Sequence, residues 1–140
     1  MWKALENTIK CVKEHGCIYI AIYNKVPGRG IYSSYFWQKE KKFFNSMPIF
    51  FQMLIIYGYI TIRIFSMLIR VQNPIRIIKN RKYPRGMSWY IDAVDWLGGF
   101  PYEYAGVDEV FKFFYQKNFE LINIKTTTFL DCNEFLFRKK

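Results

Sequence analysis

The chain has 140 residues, of which 51% are apolar, 21% aromatic and 23% charged, and its formal net charge is +10. This composition excludes a disordered chain, which has too few apolar and aromatic residues to form a core. Three cysteines cannot all pair and are too sparse for a disulfide scaffold, so the sequence predicts free thiols in a reducing, cytoplasmic environment.

The positive charge is concentrated in one part of the chain. Residues 25–89 contain twelve Lys and Arg but a single acid, Glu40, whereas the remaining residues carry nine basic and ten acidic side chains. An ordinary soluble surface mixes the two signs. We therefore expect residues 1–24 to form a helix and a buried strand of a framework, residues 25–85 a basic, apolar helical insert, and residues 86–140 the rest of the framework.

The first residues predict a helix followed by a strand. Leu5, Ile9 and Val12 recur at helical spacing and favour a helix over residues 2–14. The run CIYIAIY at Cys17–Tyr23 is apolar on both alternating faces, which is typical of a strand buried on both sides in a parallel α/β sheet.

The insert predicts two helices. One covers residues 33–47, and a second, apolar nearly all round, covers residues 49–72. Residues 43–62 carry no charge and are long enough to cross a bilayer, whereas Arg63 and Arg70 count against a spanning helix because charge in hydrocarbon is costly. Three roles stay open for this segment: a cap over an enzyme pocket, a helix lying on a membrane, or a helix that spans one.

The last third returns to an alternation of helix and strand. A short helix or turn is expected over residues 88–99, and a longer helix begins near Gly106 or Asp108. Asn118 stands where a left-handed residue would end that helix. Residues 119–128 and 132–139 read as strands that pair antiparallel across a short connection.

Single polar residues give weak indications of chemistry. His15, the only histidine, is expected in the last turn of the first helix before a Gly16 cap, where a cation favours the helix dipole. Cys11, Cys17 and Cys132 lack the spacing of a zinc site and are expected to be buried thiols. The sequence identifies no metal site and no catalytic residue.

Four stretches of the chain resemble sequences of one known protein family. They are ALENTIKCVKEHGCIYIAIYN, RGMSWYIDAVDWLGGFPYEYA, VDEVFKFFYQKNFELINIKTT and CNEFLFRK. With them, nearly the whole chain apart from the middle of the insert resembles the C-terminal half of class I S-adenosylmethionine-dependent methyltransferases, in the subgroup related to ubiquinone-biosynthesis O-methylases. The pattern RGMS…D..DWLGG.P.E.A with CNEF downstream is its most specific part.

The resemblance implies a partial Rossmann-like sheet with mixed strands. In that family the strand order is 3-2-1-4-5-7-6, with strand 7 antiparallel, and Cys17–Tyr23, Phe119–Thr127 and Cys132–Arg138 correspond to strands 5, 6 and 7. Strands 1–4, which hold the cofactor in the family, are expected to lie outside this truncated chain. Cys17–Tyr23 would then keep one neighbour and expose its other edge, which predicts binding to a second chain carrying the N-terminal half, or a homodimer through residues 17–23.

The resemblance also implies a substrate pocket, since its motif lies near the acceptor in related enzymes. Tyr23 and Asn24 end a strand at the position where open α/β sheets bind ligands. Asp92 and Asp95 lie one helical turn apart and either act on a substrate or pair with Arg85. The expected pocket residues are Tyr23, Asn24, Arg85, Met87, Asp92, Asp95 and Trp96.

The alternative function is that of a non-enzymatic binding module. It would use the open strand edge and the basic insert to attach to a partner protein or to an anionic membrane through residues 37–85, as a cytoplasmic protein peripheral to the membrane. The aromatic residues of the insert lie in apolar helical runs rather than on an exposed sheet, which disfavours nucleic acid.

Overall fold

The structure is a computed structural model that describes residues 1–80 and 87–140. The described residues form two compact units, one of residues 1–38 and 102–140 and the other within residues 39–101. The elements in chain order are α1 (Trp2–Lys10), β1 (Cys17–Asn24), a 3₁₀ turn (Gly30–Tyr32), α2 (Ser34–Ser46), α3 (Ile49–Ile69), α4 (Pro74–Asn80), α5 (Trp89–Gly98), β2 (Tyr104–Ala105), α6 (Val107–Gln116), β3 (Phe119–Lys125) and β4 (Cys132–Lys139).

The first unit contains a mixed four-stranded sheet in the order β2-β1-β4-β3. β4 lies antiparallel between β1 and β3, with Ile20 opposite Phe135 and Phe135 opposite Ile124. The mixed α/β class and the antiparallel pairing of the last two strands are therefore confirmed. β2 pairs parallel with the end of β1.

The core of the first unit lies on one face of this sheet, under helices α1 and α6. Phe114 of α6 stacks on Phe137 of β4 with ring centroids 4.2 Å apart, and both side chains are fully buried. The buried side chains of this core are Leu5, Ile18, Ile22, Ala105, Val110, Phe114, Phe119, Phe135 and Phe137. Because the two helices cover a single face, the opposite face of the sheet has no such core among the described residues.

One expectation about β1 is wrong, and a second holds for only part of the strand. Ile18 and Ile22 are buried, but Tyr19 on the other face is 61% exposed, so the strand is buried on one side and not on both. The edge expected to be open is also partly paired, since Tyr23 lies opposite Tyr104 of β2. Of the described strands, β2 reaches only the last two residues of β1 on this side, so residues 17–22 have a strand partner on the β4 side alone.

A bulge interrupts β3. Leu121 lies opposite Phe137, but the next residue of β4, Leu136, lies opposite Asn123, so that Ile122 is passed over. A bulge of this kind shifts the alternation of side chains by one residue. It places Ile124, rather than Asn123, opposite the buried Phe135.

Left-handed residues end several segments. Asn118 has φ 66°, as its position after α6 predicts. Helix α1 ends at Lys10 rather than near residue 14, and His15 takes the left-handed conformation (φ 61°) that was expected of Gly16. Gly16 has no room for a side chain, because a Cβ there would lie 2.8 Å from the carbonyl oxygen of Lys13.

The second unit is built around α3. Ile56 of α3 packs with Phe44 of α2 and Leu97 of α5 in a small apolar cluster. Helix α3 ends at Ile69, three residues before the predicted end, and Val71 beyond it has φ 57°. Pro74 then begins α4, because proline fits the first turn of a helix, where its missing N–H has no intrahelical partner.

Candidate functional site

The carboxyl end of β1 is held by a network of hydrogen bonds centred on Asn24. The Asn24 backbone N–H donates to Asp131 O (2.9 Å), and its side-chain amide donates to Thr127 O (2.9 Å) and Phe129 O (3.3 Å). Its Oδ1 accepts from Nδ2 of the buried Asn133 at 3.0 Å. Asn24 therefore joins β1 to the β3–β4 connection. Its side-chain amide makes these hydrogen bonds with other groups of the protein.

Ser34, at the start of α2, extends this network. Its buried hydroxyl donates to Asn24 O (2.8 Å) and accepts from the Val26 N–H (2.9 Å). The Tyr102 hydroxyl also shares a hydrogen bond with Ser34, and burial raises the pKa of Tyr102 to about 12. A phenol held neutral in this way positions groups around it rather than transferring protons at neutral pH.

Aromatic rings cover the same end of β1. The ring centroids of Tyr23 and Tyr102 are 4.8 Å apart, and those of Tyr102 and Tyr104 are 6.0 Å apart. Tyr102 is buried, whereas Tyr23 is 36% exposed. This arrangement offers one accessible aromatic face on a rigid support, which suits contact with a planar or apolar molecule.

The two aspartates lie on α5 in the second unit. Helix α5 begins after Ser88, whose hydroxyl oxygen accepts a hydrogen bond from the Ile91 N–H at 3.2 Å. Asp92 is half-buried and lines a shallow cleft open to solvent, together with Arg63 and Trp89. The cleft is small and open to solvent, so it fits water or an ion better than an organic substrate.

Lys41 is a polar residue of this unit that sequence reasoning missed. It is 6% exposed, and its ammonium donates to the carbonyl oxygens of Asp95 (3.2 Å) and Trp96 near the end of α5. The ammonium also lies 5.9 Å from the centroid of the Trp96 ring. Burial lowers the pKa of Lys41, and the nearby carboxylates of Asp95 and Glu40 act in the opposite direction. A cation at this position stabilises the negative end of the helix dipole.

The predicted pocket residues are divided between the two units. Tyr23 and Asn24 belong to the first unit. Met87, Asp92, Asp95 and Trp96 belong to the second, where Met87 is half-buried and Asp95 and Trp96 are exposed. Arg85 lies outside the described residues. A single pocket formed by all of these residues stays a prediction.

The cysteines and the other possible metal ligands that the structure describes form no metal site. Within residues 1–80 and 87–140, no three His, Cys, Asp or Glu side chains are placed to hold a metal ion. The expectation of buried thiols is wrong for Cys11 and Cys17, which are exposed, while Cys132 is half-buried.

No family model, curated protein or solved structure matches this chain. The methyltransferase resemblance therefore depends on the quoted motif residues.

Proposed function

We propose that the chain is the acceptor-side, C-terminal part of an S-adenosylmethionine-dependent methyltransferase. The observation that carries the proposal is the position of β4. A short connection between β3 and β4 makes them neighbours in any fold, but it does not say which of the two pairs with β1. The resemblance implies the order 5-7-6 with strand 7 antiparallel, and β1, β4 and β3 have this order and these directions.

The contribution of the chain would be to position the methyl acceptor. Ligands of open α/β sheets bind beyond the carboxyl ends of the strands, where Tyr23 presents its partly exposed ring. Asn24 and Ser34 fix the backbone beneath that ring through the hydrogen bonds described above. Methyl transfer depends largely on aligning the acceptor with the donor, so a rigid aromatic support is a suitable device.

The described residues do not fit the cofactor itself. In the family a glycine-rich turn and an acidic residue at the ends of strands 1 and 2 hold it. None of the described strands corresponds to strand 1 or strand 2, and the glycines that follow β1, Gly28 and Gly30, lead into a single 3₁₀ turn. We derive no methyl-transfer step from these residues, and the proposal assigns the donor site to a second chain.

Two surfaces of the first unit support such a partner. Residues 17–22 of β1 have a strand partner on one side only among the described strands, and edges of this kind pair readily with another chain. The sheet face opposite the core carries the exposed Tyr19, beside Ala21 and opposite Leu136. In an α/β sheet both faces are covered by helices, so this face is where helices of the donor half would pack.

The test is complementation between two chains. Strands 1–4 of a methyltransferase from the same subgroup, made as a separate polypeptide, would be mixed with this chain and titrated with S-adenosylmethionine in a calorimeter. We expect no binding by the chain alone, and binding by the mixture that is at least about tenfold tighter than by the added half alone, a gain of about 1.4 kcal/mol. Binding by the chain alone, or no gain in the mixture, would overturn the proposal.

Paired variants distinguish complementation from non-specific association. Tyr19→Asp places a charge on the sheet face that the added half would cover, and should remove the gain. Tyr115→Asp makes the same change on α6, where Tyr115 is 64% exposed, and should leave the gain unchanged. If the two variants behave alike, the sheet face is not the contact. The alternative function, a binding module without enzymatic activity, predicts association with a partner but no gain in cofactor binding over that of the added half alone.

A further inference from the structure

Helix α3 exposes most of its apolar side chains. The side that packs within its unit carries Ile56, which is 5% exposed, and the partly buried Tyr59 and Ile60, with Gln52 and Ser66 also partly buried. Arg63 lies at the edge of this side, where its guanidinium donates to the Tyr59 hydroxyl at 2.9 Å and lines the same cleft as Asp92. In a surface helix of a soluble protein, the side that faces away from the core is normally polar.

The outward side of α3 is almost entirely apolar, with Thr61 as an exposed polar residue within it. Every one of these side chains is between 37% and 75% exposed: Ile49, Phe50, Phe51, Met53, Leu54, Ile55, Tyr57, Ile62, Phe65, Leu68 and Ile69. Among the described helices, α3 is the one long and apolar enough to cross a membrane, and only 6% of its apolar window is buried. A buried core helix passes the same test of length and composition, but it would not be this exposed.

We propose that α3 lies along the surface of an anionic lipid bilayer, with its outward side in the acyl chains and its packing side toward α2 and α5. The positive charge of this unit favours an anionic lipid surface as the partner of the outward side of α3. Residues 39–101 contain ten Lys and Arg against three acids, and Lys39, Lys42, Arg70, Arg76 and Lys79 are exposed. Anionic headgroups attract such a surface, whereas two copies of it would repel each other.

The packing of the unit distinguishes a helix that lies on the membrane from one that spans it. Helix α5 packs on α3 and brings Asp92 and Asp95, with the buried Lys41, to the inward side. If α3 crossed the bilayer, these charges would lie at the depth of the hydrocarbon, where they are costly. With α3 in the plane of the membrane, the same charges lie on the side of the unit away from the lipid.

The first experiment measures binding of the full chain to vesicles by flotation. Vesicles of phosphatidylcholine alone are compared with vesicles containing phosphatidylglycerol, at low and high salt. We expect strong binding to the anionic vesicles that weakens with salt, since screening reduces the charge attraction. Equal binding with and without anionic lipid, or no binding to either, would overturn the proposal.

Matched double variants test the surface itself. Leu54→Asn with Phe65→Asn changes two side chains that are 55% and 63% exposed on the outward side of α3. Tyr115→Asn with Phe129→Asn changes two side chains that are 64% and 77% exposed in the other unit. The first pair should reduce the bound fraction at least about tenfold, because each change removes apolar surface from the lipid. The second pair should have little effect, and equal effects of the two pairs would contradict the assignment.

Protease access determines the orientation. Trypsin added outside vesicles to which the chain was bound should cleave after both Lys42 and Arg70, because both flank α3 on the same side of the membrane. Protection of either residue would indicate a spanning helix and overturn the in-plane arrangement. Sedimentation without lipid should show a monomer. A dimer that the Leu54→Asn and Phe65→Asn changes disrupt would instead identify a second copy of the chain as the partner of this surface.

Discussion

Replacement of Asn133 tests whether the network beneath Tyr23 is a rigid support. Asn133 is 1% exposed, its Oδ1 accepts from the Thr127 N–H at 2.9 Å, and its Nδ2 donates to Asn24 Oδ1 at 3.0 Å. Asn133→Leu keeps the approximate volume and removes both hydrogen bonds. It leaves the Thr127 N–H and one acceptor of Asn24 without these partners.

A buried polar group that loses its partner costs about 1–3 kcal/mol. Thr127 is only half-buried, so water replaces part of one bond, and we expect a total loss of about 2–4 kcal/mol. Native-state amide exchange of β1 and β4 is the suitable measurement, because it reports the free energy of opening of the first unit alone. The amides of both strands should lose protection together.

The control is Asn123→Leu, the same substitution at an exposed position of β3. It removes a hydrogen bond from the exposed Ile124 N–H, which water can replace, so the free energy of opening should change by less than about 0.5 kcal/mol. Asn24→Leu should be destabilising as well, and the double variant Asn24→Leu with Asn133→Leu should lose about 1 kcal/mol less than the sum of the single losses, since both remove the same bond. A loss by Asn133→Leu no larger than that of the control would refute the network as a source of rigidity.

Three further outcomes follow from close contacts and buried groups. A Cβ on Gly98 would lie 2.8 Å from the Phe44 ring, so Gly98→Ala should destabilise the second unit by about 1–3 kcal/mol in exchange measurements, whereas Gly58→Ala, with open space around it, should stabilise α3 by about 0.5–1 kcal/mol. Because burial raises the pKa of Tyr102 to about 12, its contribution to stability should be full below pH 10 and should fall as the pH rises toward 12; an ultraviolet titration should show a late tyrosinate step that Tyr102→Phe lacks. Lys41→Met removes the donor to the end of α5 and should speed amide exchange there about tenfold.

Much of the framework could be predicted from local patterns. The β-branched and aromatic runs predict β1, β3 and β4, and the continuous apolar stretch after Pro48 predicts α3. Asn118 shows how a single residue type fixes a helix end, because few side chains accept a left-handed backbone. The order of the strands came from the resemblance, because hydrophobic alternation carries no information about which strands are neighbours.

Other features leave no local trace. β2 has two residues, which is too short to show an alternation, and its pairing with β1 is decided by tertiary contacts. The exposed side of β1 carries apolar residues such as Tyr19 and Ala21. The sequence pattern therefore does not distinguish a strand face covered by helices from an exposed one. Lys41 stands among neighbouring lysines, and only the fold selects it for burial against α5.

The bulge in β3 has a consequence for how this sheet tolerates changes in chain length. Leu121 and Asn123 already lie opposite consecutive residues of β4, Phe137 and Leu136. Deleting Ile122 would therefore straighten the strand and leave each remaining pair as it is, whereas deleting a residue elsewhere in β3 or β4 would turn inward-facing side chains outward. Within β3, a deletion of one residue should therefore be tolerated best at Ile122, because the buried side chains of the sheet then keep their positions.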